Sequence, residues 1–355
     1  MAEISILIIH LFHSQEDIMN PEKLTIKEIA EMAGVSQTAV SFVINNRPGV
    51  SAATREKIHN IMHTTNYVPN TSSRRLMMRR SFNVALLYPS LASPFSDLFY
   101  SEIASGLTHC LMESGYNVVM YPLDNEAADK MPNIILRKDA DGAIIFQGVN
   151  DVLLDKLNEM TFPYVFIDLQ DNHEECVHVS LDCEALMEKA VSYLFEMGHR
   201  HIGFIGSNQV LHYYHRCFNG YHQALRRRGL SVCSEWLLCV DGSQDAAAAA
   251  AKTLYQCDKT PTAVCCTSDM LAVYAMNALR STGVVLPDSM SFIGVDDIML
   301  SRYVEPALTC VTYDKHRMGI LAGELLVGLI DKKPVSSHTI SNFDVTSRYS
   351  VKNLR

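Results

Sequence analysis

Gln37, Thr38 and Ser41 are short or forked hydrogen-bonding side chains on the polar side of a stretch whose Val40, Val43 and Ile44 repeat at helical spacing. Groups of this kind match the donor and acceptor pattern of base edges in the major groove. Any soluble helix has a polar side, so the spacing alone is weak, but the local charge strengthens it. From Met19 to Arg80 there are nine basic and four acidic residues, an excess of +5 in a chain whose net charge is −9. A small basic module on an acidic body suits phosphate neutralisation by that module alone. Nearby, Arg74, Arg75, Arg79 and Arg80 surround Leu76, Met77 and Met78. That pattern suits either a basic linker or a segment that folds on DNA, wedges an apolar side chain into the minor groove and sets arginines on phosphates.

Three short helices must position these groups. Thr25 with Glu28 makes a capping box, and Ile29, Ala30 and Ala33 follow as an apolar stripe that Gly34 ends in a left-handed turn. Ser36 caps a second helix, Asn46-Arg47-Pro48-Gly49 is a turn, and Ser51 caps a third helix carrying Ile58, Ile61 and Met62. Beyond Ser81 the pattern changes. The runs 84–88, 117–121, 142–146, 163–167, 201–205, 263–266 and 291–295 read as buried parallel strands. Helices read over 100–114, 183–197 and 269–282 alternate with them, which implies a parallel α/β fold. Ligands of such sheets bind beyond the carboxyl ends of the strands.

Composition bounds the remaining classes. A chain of 355 residues with 48% hydrophobic and 19% charged residues is expected to fold as two or three units. The ten cysteines show no CxxC spacing, so neither a zinc site nor a disulfide framework is expected. His212 and His215 have helical spacing but no third ligand nearby, and Gly203-Phe-Ile-Gly206 falls short of a dinucleotide fingerprint. No metal, cofactor or catalytic constellation is expected, and the chain does not read as an enzyme. The apolar run Ile4–Phe12 lacks a charged leader and is too short to span a bilayer, so no membrane association is expected. Met19 opens the polar stretch before the first helix, so residues 1–18 are expected to be either a mis-assigned start or a frayed extension.

The stretch Thr25–Asn45, with Val50–Ile58 and Asn66–Asn70 after it, closely resembles the DNA-binding headpiece of the LacI family of bacterial transcription regulators. Asp141–Ile145, Gly198–Gly206, Gly294–Asp297, Pro306–Thr309 and Ser347–Ser350 resemble the family further along the chain. The resemblance implies an all-α helix-turn-helix headpiece over 23–68, after an extension over 1–22. A hinge helix over 69–80 and a two-lobed α/β effector and dimerisation domain over 81–355 would follow, the latter like the periplasmic sugar-binding proteins. The chain would cross between lobes near Ser180, Val311 and Ile340.

On this basis Ser36, Gln37, Thr38, Ser41 and Asn45 contact double-stranded operator DNA. Thr25, Ser51 and Thr54 hold phosphates, Asn70 belongs to the DNA-binding set, and Leu76 is the minor-groove wedge. Phe95, Asp168, Asp182, Arg216, Ser268 and Asp296 are the effector-cleft candidates, suited to a sugar or sugar derivative. Asp296 beside Asp297 could equally end a strand and cap a turn. Four positions depart from the family pattern: Phe42 replaces a common arginine, Ser73 a common alanine, Cys217 a common arginine and Ser268 a common asparagine. The implied protein is a cytoplasmic homodimeric repressor of a carbohydrate-related operon. An effector-independent regulator is the alternative, and an exported solute-binding protein, which has no use for residues 25–80, comes after it.

Overall fold

The computed structural model describes residues 24–44, 47–65, 67, 78, 80–89, 93–123, 130–146, 151–168 and 175–355. The extension over 1–22, Asn45, Asn70, Leu76 and most of the segment 69–80 lie outside the described residues. The chain divides into two compact units, with the boundary between Arg79 and Arg80.

The smaller unit holds α1 (Ile26–Ala33), α2 (Gln37–Ile44) and α3 (Ala52–Thr64). Each starts where a side-chain oxygen takes up an exposed amide. The Glu28 N–H donates to Thr25 Oγ1 at 3.4 Å and the Thr25 N–H to Glu28 Oε2 at 2.6 Å, while Ala39 donates to Ser36 Oγ and Thr54 to Ser51 Oγ at 3.2 Å each. Gly34, at φ 65°, ends α1 and lets α2 begin three residues later, at Gln37. Ile29, Ala30, Ala33, Val40, Val43 and Ile58 close a miniature core, joined by Tyr67. Thr25→Ala removes the cap of α1 and should cost about 1 kcal/mol of local stability. Amide exchange at Ile29 and Ala30 in the full chain would register it, and unchanged protection would count against the cap.

The larger unit contains two six-stranded sheets. In chain order its elements are β1 (Asn83–Pro89), α4 (Leu98–Glu113), β2 (Asn117–Leu123), α5 (Asn133–Leu136), β3 (Gly142–Phe146), α6 (Asp151–Glu159), β4 (Tyr164–Ile167) and β5 (His178–Leu181). There follow α7 (Cys183–Glu196), β6 (Ile202–Ser207), α8 (Leu211–Arg227), β7 (Leu237–Val240), α9 (Gln244–Gln256), β8 (Ala263–Cys266), α10 (Asp269–Arg280) and β9 (Ser291–Val295). The last are β10 (Thr309–Thr312), α11 (Lys315–Ile330), β11 (His338–Ile340) and β12 (Asp344–Thr346).

The first sheet has the order β11-β5-β4-β3-β1-β2 and is parallel throughout. The second has the order β12-β10-β9-β8-β6-β7 and is parallel except at β12, an antiparallel edge. All seven strands expected from the sequence are present, and five more join them. The chain passes from the first sheet to the second after β5, returns after β10 and passes again after β11. Helix α11 lies against α4, and the contact is backbone-close: a Cβ on Gly106 would stand 1.9 Å from the His316 carbonyl oxygen, and one on Gly319 2.0 Å from that of Ile103.

The sequence reading placed Arg80 among the phosphate-binding arginines, and its side chain is engaged elsewhere. Its guanidinium donates to Asp331 at 2.9 Å, to the Ile330 carbonyl at 3.2 Å and to Tyr116 at 3.2 Å. The charge is spent on the larger unit.

Candidate functional site

The first candidate surface is the N-terminal turn of α2. Ser36, Gln37 and Thr38 are exposed there and Ser41 is half-buried one turn on, while Val40 and Val43 on the opposite side are in the core. Sequence periodicity alone fixes this division, because the apolar residues must face α1 and α3. Ser36 Oγ is also the cap of the helix. Thr25, Ser51 and Thr54 lie at the starts of α1 and α3, where helix N-termini present unpaired N–H groups and a partial positive charge suited to anions. Ser51 Oγ and Thr54 Oγ1 are 2.8 Å apart.

Phe42 packs against the turn that follows α2. Its ring lies against Gly49, where an added Cβ would meet two ring carbons at 3.2 Å. The Phe42 carbonyl accepts from the Arg47 N–H at 2.8 Å, and Arg55 donates to the Arg47 carbonyl at 2.7 Å. The residue that departs from the family pattern therefore fastens the turn between α2 and α3.

The second candidate is a cavity of about 480 Å³ in the larger unit, at the carboxyl ends of strands from both sheets. Asp168 follows β4 at φ 63° and Asp296 follows β9 at φ 100°, both conformations that short polar side chains tolerate best. Tyr100 donates to Asp168 at 3.4 Å, and Tyr313 to Asp296 Oδ1 at 2.7 Å. Ser268 lines the cavity while capping α10 through the Leu271 N–H at 3.3 Å. Asp97 lines it at the start of α4, accepting from Phe99 at 2.9 Å.

Asp269 is fully buried at the cavity wall. Its Oδ2 accepts from the Ile298 N–H at 2.9 Å and Ser301 Oγ at 2.6 Å, while Oδ1, close to Gly294, has no hydrogen-bond partner. Burial pushes the Asp269 carboxyl up to about 6. Burial and the charge of Asp269 push Asp296 up to about 7, against the lowering effects of Tyr313 and Lys315 and with a further raising contribution from Asp168.

Of the six cleft candidates, Asp168, Ser268 and Asp296 line this cavity and three do not. Asp182 accepts the Ala185 N–H at 3.0 Å and serves as the cap of α7. Arg216 is one residue from Cys217, which is fully buried, and one helical step turns its side chain away from the Cys217 direction. Phe95 is 83% exposed in the turn before α4 and is absent from the cavity wall. Asp297 separates from its neighbour, pairing with Arg348 and accepting from Thr346 at 3.1 Å. Thus Asp296 faces the cavity and Asp297 holds β12. Asp97, Tyr100, Gln209 and Tyr213 also line it and were not singled out from the sequence.

Two family models match the chain. The one described as "Bacterial regulatory proteins, lacI family" covers residues 25–70, and "Periplasmic binding protein-like domain" covers 191–351. A relative described as "Probable HTH-type transcriptional repressor ExuR", from Bacillus subtilis (strain 168), is 27% identical over 334 residues, spanning 93% of this chain and 99% of its own. A solved complex of the transcriptional regulator CelR with cellobiose is 27% identical with a TM-score of 0.68, covering 92% of this chain and 99% of that one. The lac repressor dimer bound to operator and the anti-inducer ONPF, 23% identical, shares the fold at a TM-score of 0.74 over 93% of this chain and 100% of that one. Headpiece, two-sheet body and near full-length relatives agree: residues 25–70 match the lacI family of bacterial regulatory proteins, and the chain is similar to transcriptional repressors over 93% of its length.

Proposed function

We propose that the protein is a transcriptional repressor that binds double-stranded operator DNA in the cytoplasm as a homodimer, and that a small molecule in the cleft of the larger unit modulates this binding. The observation that carries the reading is the N-terminal turn of α2: exposed Gln37 and Thr38 on a rigid three-helix unit, within a segment carrying an excess of positive charge. Ser36, Ser41 and Asn45 complete the base-reading set. Thr25, Ser51, Thr54 and Asn70 hold the backbone, and Leu76 is the wedge. The controlled genes serve carbohydrate metabolism, and the ligand is a sugar or sugar derivative.

Selection of bound duplexes from a random DNA library, followed by fluorescence anisotropy, tests the reading. The full chain should enrich a near-palindromic site, and affinity should fall steeply as salt is raised. Gln37→Ala should change the bases preferred in each half-site, since removing a bidentate hydrogen-bonded pair to a base costs about 1 to 3 kcal/mol of discrimination. Salt-insensitive binding, or an unchanged selected site in the variant, would overturn the assignment.

A further inference from the structure

We propose that Arg47, in the turn after α2, holds a phosphate of the DNA backbone at the end of that helix opposite to the base-reading turn. This rests on the reading of α2 as the helix that enters the major groove and adds a contact that the reading does not contain.

The stretch 32–54 covers α2, the turn after it and the start of α3, and Arg47 is its only charged residue. Gln37, Thr38, Ser41, Ser51 and Thr54 supply hydrogen bonds along this stretch but no charge. Neutralisation of phosphate with release of a counterion needs a cation. Within the stretch only Arg47 brings one.

The backbone of Arg47 is fixed on both sides. Its N–H donates to the Phe42 carbonyl at 2.8 Å, which ties it to α2, and its carbonyl accepts from Arg55 Nη2 at 2.7 Å, which ties it to the first turn of α3. Pro48 disfavours a helical backbone at the residue before it, and the Phe42 ring lies against Gly49. The Arg47 residue itself is exposed. Among the described residues its guanidinium makes no hydrogen bond or ion pair. A cation just beyond a helix C-terminus is favoured by the helix dipole without any DNA. That role would fold the guanidinium onto the last carbonyls of α2, and instead it is left open on a turn held rigid beneath it.

The length of the helix decides between base and phosphate. Eight residues make α2 about 12 Å long, and the major groove is about 12 Å wide. With Gln37 and Thr38 on base edges, the chain leaving the other end of α2 has reached the wall of the groove, where phosphates are in range. Ser51 and Thr54, assigned to phosphates, lie beside Arg55 at the start of α3, to which the Arg47 carbonyl is fastened.

Fluorescence anisotropy of the full chain on its selected duplex and on a scrambled duplex, across a salt series, tests the proposal. Arg47→Gln is expected to weaken both duplexes by a similar factor, about eight-fold at about 0.1 M salt, and to make the logarithmic salt dependence shallower by about 1. Arg47→Lys should keep most of the affinity and the full salt dependence, since an ammonium serves a phosphate as a point charge. Both hydrogen bonds of Arg47 are made by its backbone, so these substitutions leave the turn intact. A changed preference at one base position with an unchanged salt slope, not rescued by lysine, would make Arg47 a base reader and overturn the phosphate assignment. Unchanged affinity and slope in Arg47→Gln, with the parent still enriching its site, would overturn the role of Arg47 and leave the reading of α2 standing. If the parent enriches no site, the reading of α2 fails and the role of Arg47 falls with it.

Discussion

Gly319→Ala is expected to lower the melting temperature of the larger unit by roughly 6 to 12 °C, the equivalent of about 3 kcal/mol or slightly more in a unit of this size. The cause is the closeness of α4 and α11. The new Cβ would stand 2.0 Å from the Ile103 carbonyl oxygen and 2.6 Å from the Leu107 backbone nitrogen. Neither is the end of a flexible side chain, so the two helices must separate along their length and loosen the apolar side chains that both send into the core, among them Leu107, Met318 and Ala322. Gly203→Ala in β6 is the control, because a Cβ there meets its nearest neighbour at 3.4 Å, an ordinary contact. Thermal unfolding of both variants checks the claim, and equal losses would show that glycine removal as such, rather than helix approach, sets the effect.

Asp296→Asn and Asp297→Ala, adjacent substitutions, should act in opposite directions. The Asp296 carboxyl stands at about 7 in the folded protein, above the usual carboxylate range. A carboxyl raised in this way binds its proton more tightly in the native state. Stability is therefore gained as pH falls through about 7 towards 4 and is lost as pH rises across the same window. Asparagine keeps the acceptor for Tyr313 and removes the charge that faces Asp269 and Asp168. At pH 8 the variant should be more stable than the parent by on the order of 2 kcal/mol, with the gap closing near pH 4 to 5. Asp297 is 9% exposed and its partner Arg348 12% exposed. Truncating it strands a buried guanidinium, which should cost about 3 kcal/mol. Melting temperatures at pH 5 and pH 8 separate the two, and a stabilising effect of Asp296→Asn that does not depend on pH would refute the charge argument.

The headpiece was legible in the sequence because everything that defines it is local. Thr25 with Glu28, Ser36, Gly34 and Ser51 mark the helix boundaries within a few residues of the amides they satisfy, and the apolar repeats fix which side is buried. In the body, the seven strands read from the sequence are runs of apolar residues. The five missed were β5, β7, β10, β11 and β12, all of three or four residues, and all but β7 (Leu237–Val240) include polar residues such as His178, Ser180, Thr309 and Asp344. They become strands by pairing with distant partners, as Thr339 does with Ser180, and no local pattern announces that.

The cleft was half legible. Asp168, Ser268 and Asp296 follow strands, where the fold puts ligand-facing residues. Asp97 and Tyr100 were missed because the helix was read from Tyr100 and begins at Leu98, which hid the capping role of Asp97. Asp182 and Arg216 lie off the cavity wall for different reasons. Asp182 is consumed as a cap, and Arg216 sits a single helical step from the buried Cys217.

The three passages of the chain between the sheets dictate when each part is able to form during synthesis. All the pieces of the three-helix unit lie between residues 24 and 67, so that unit is ready to fold early on the ribosome. Neither sheet is complete until β11 and β12, at 338–340 and 344–346, have emerged. A nascent chain thus spends most of its translation with a finished DNA reader attached to two unfinished sheets, and premature termination shortly before residue 338 would release a headpiece with neither a closed cleft nor the edge strands of either sheet.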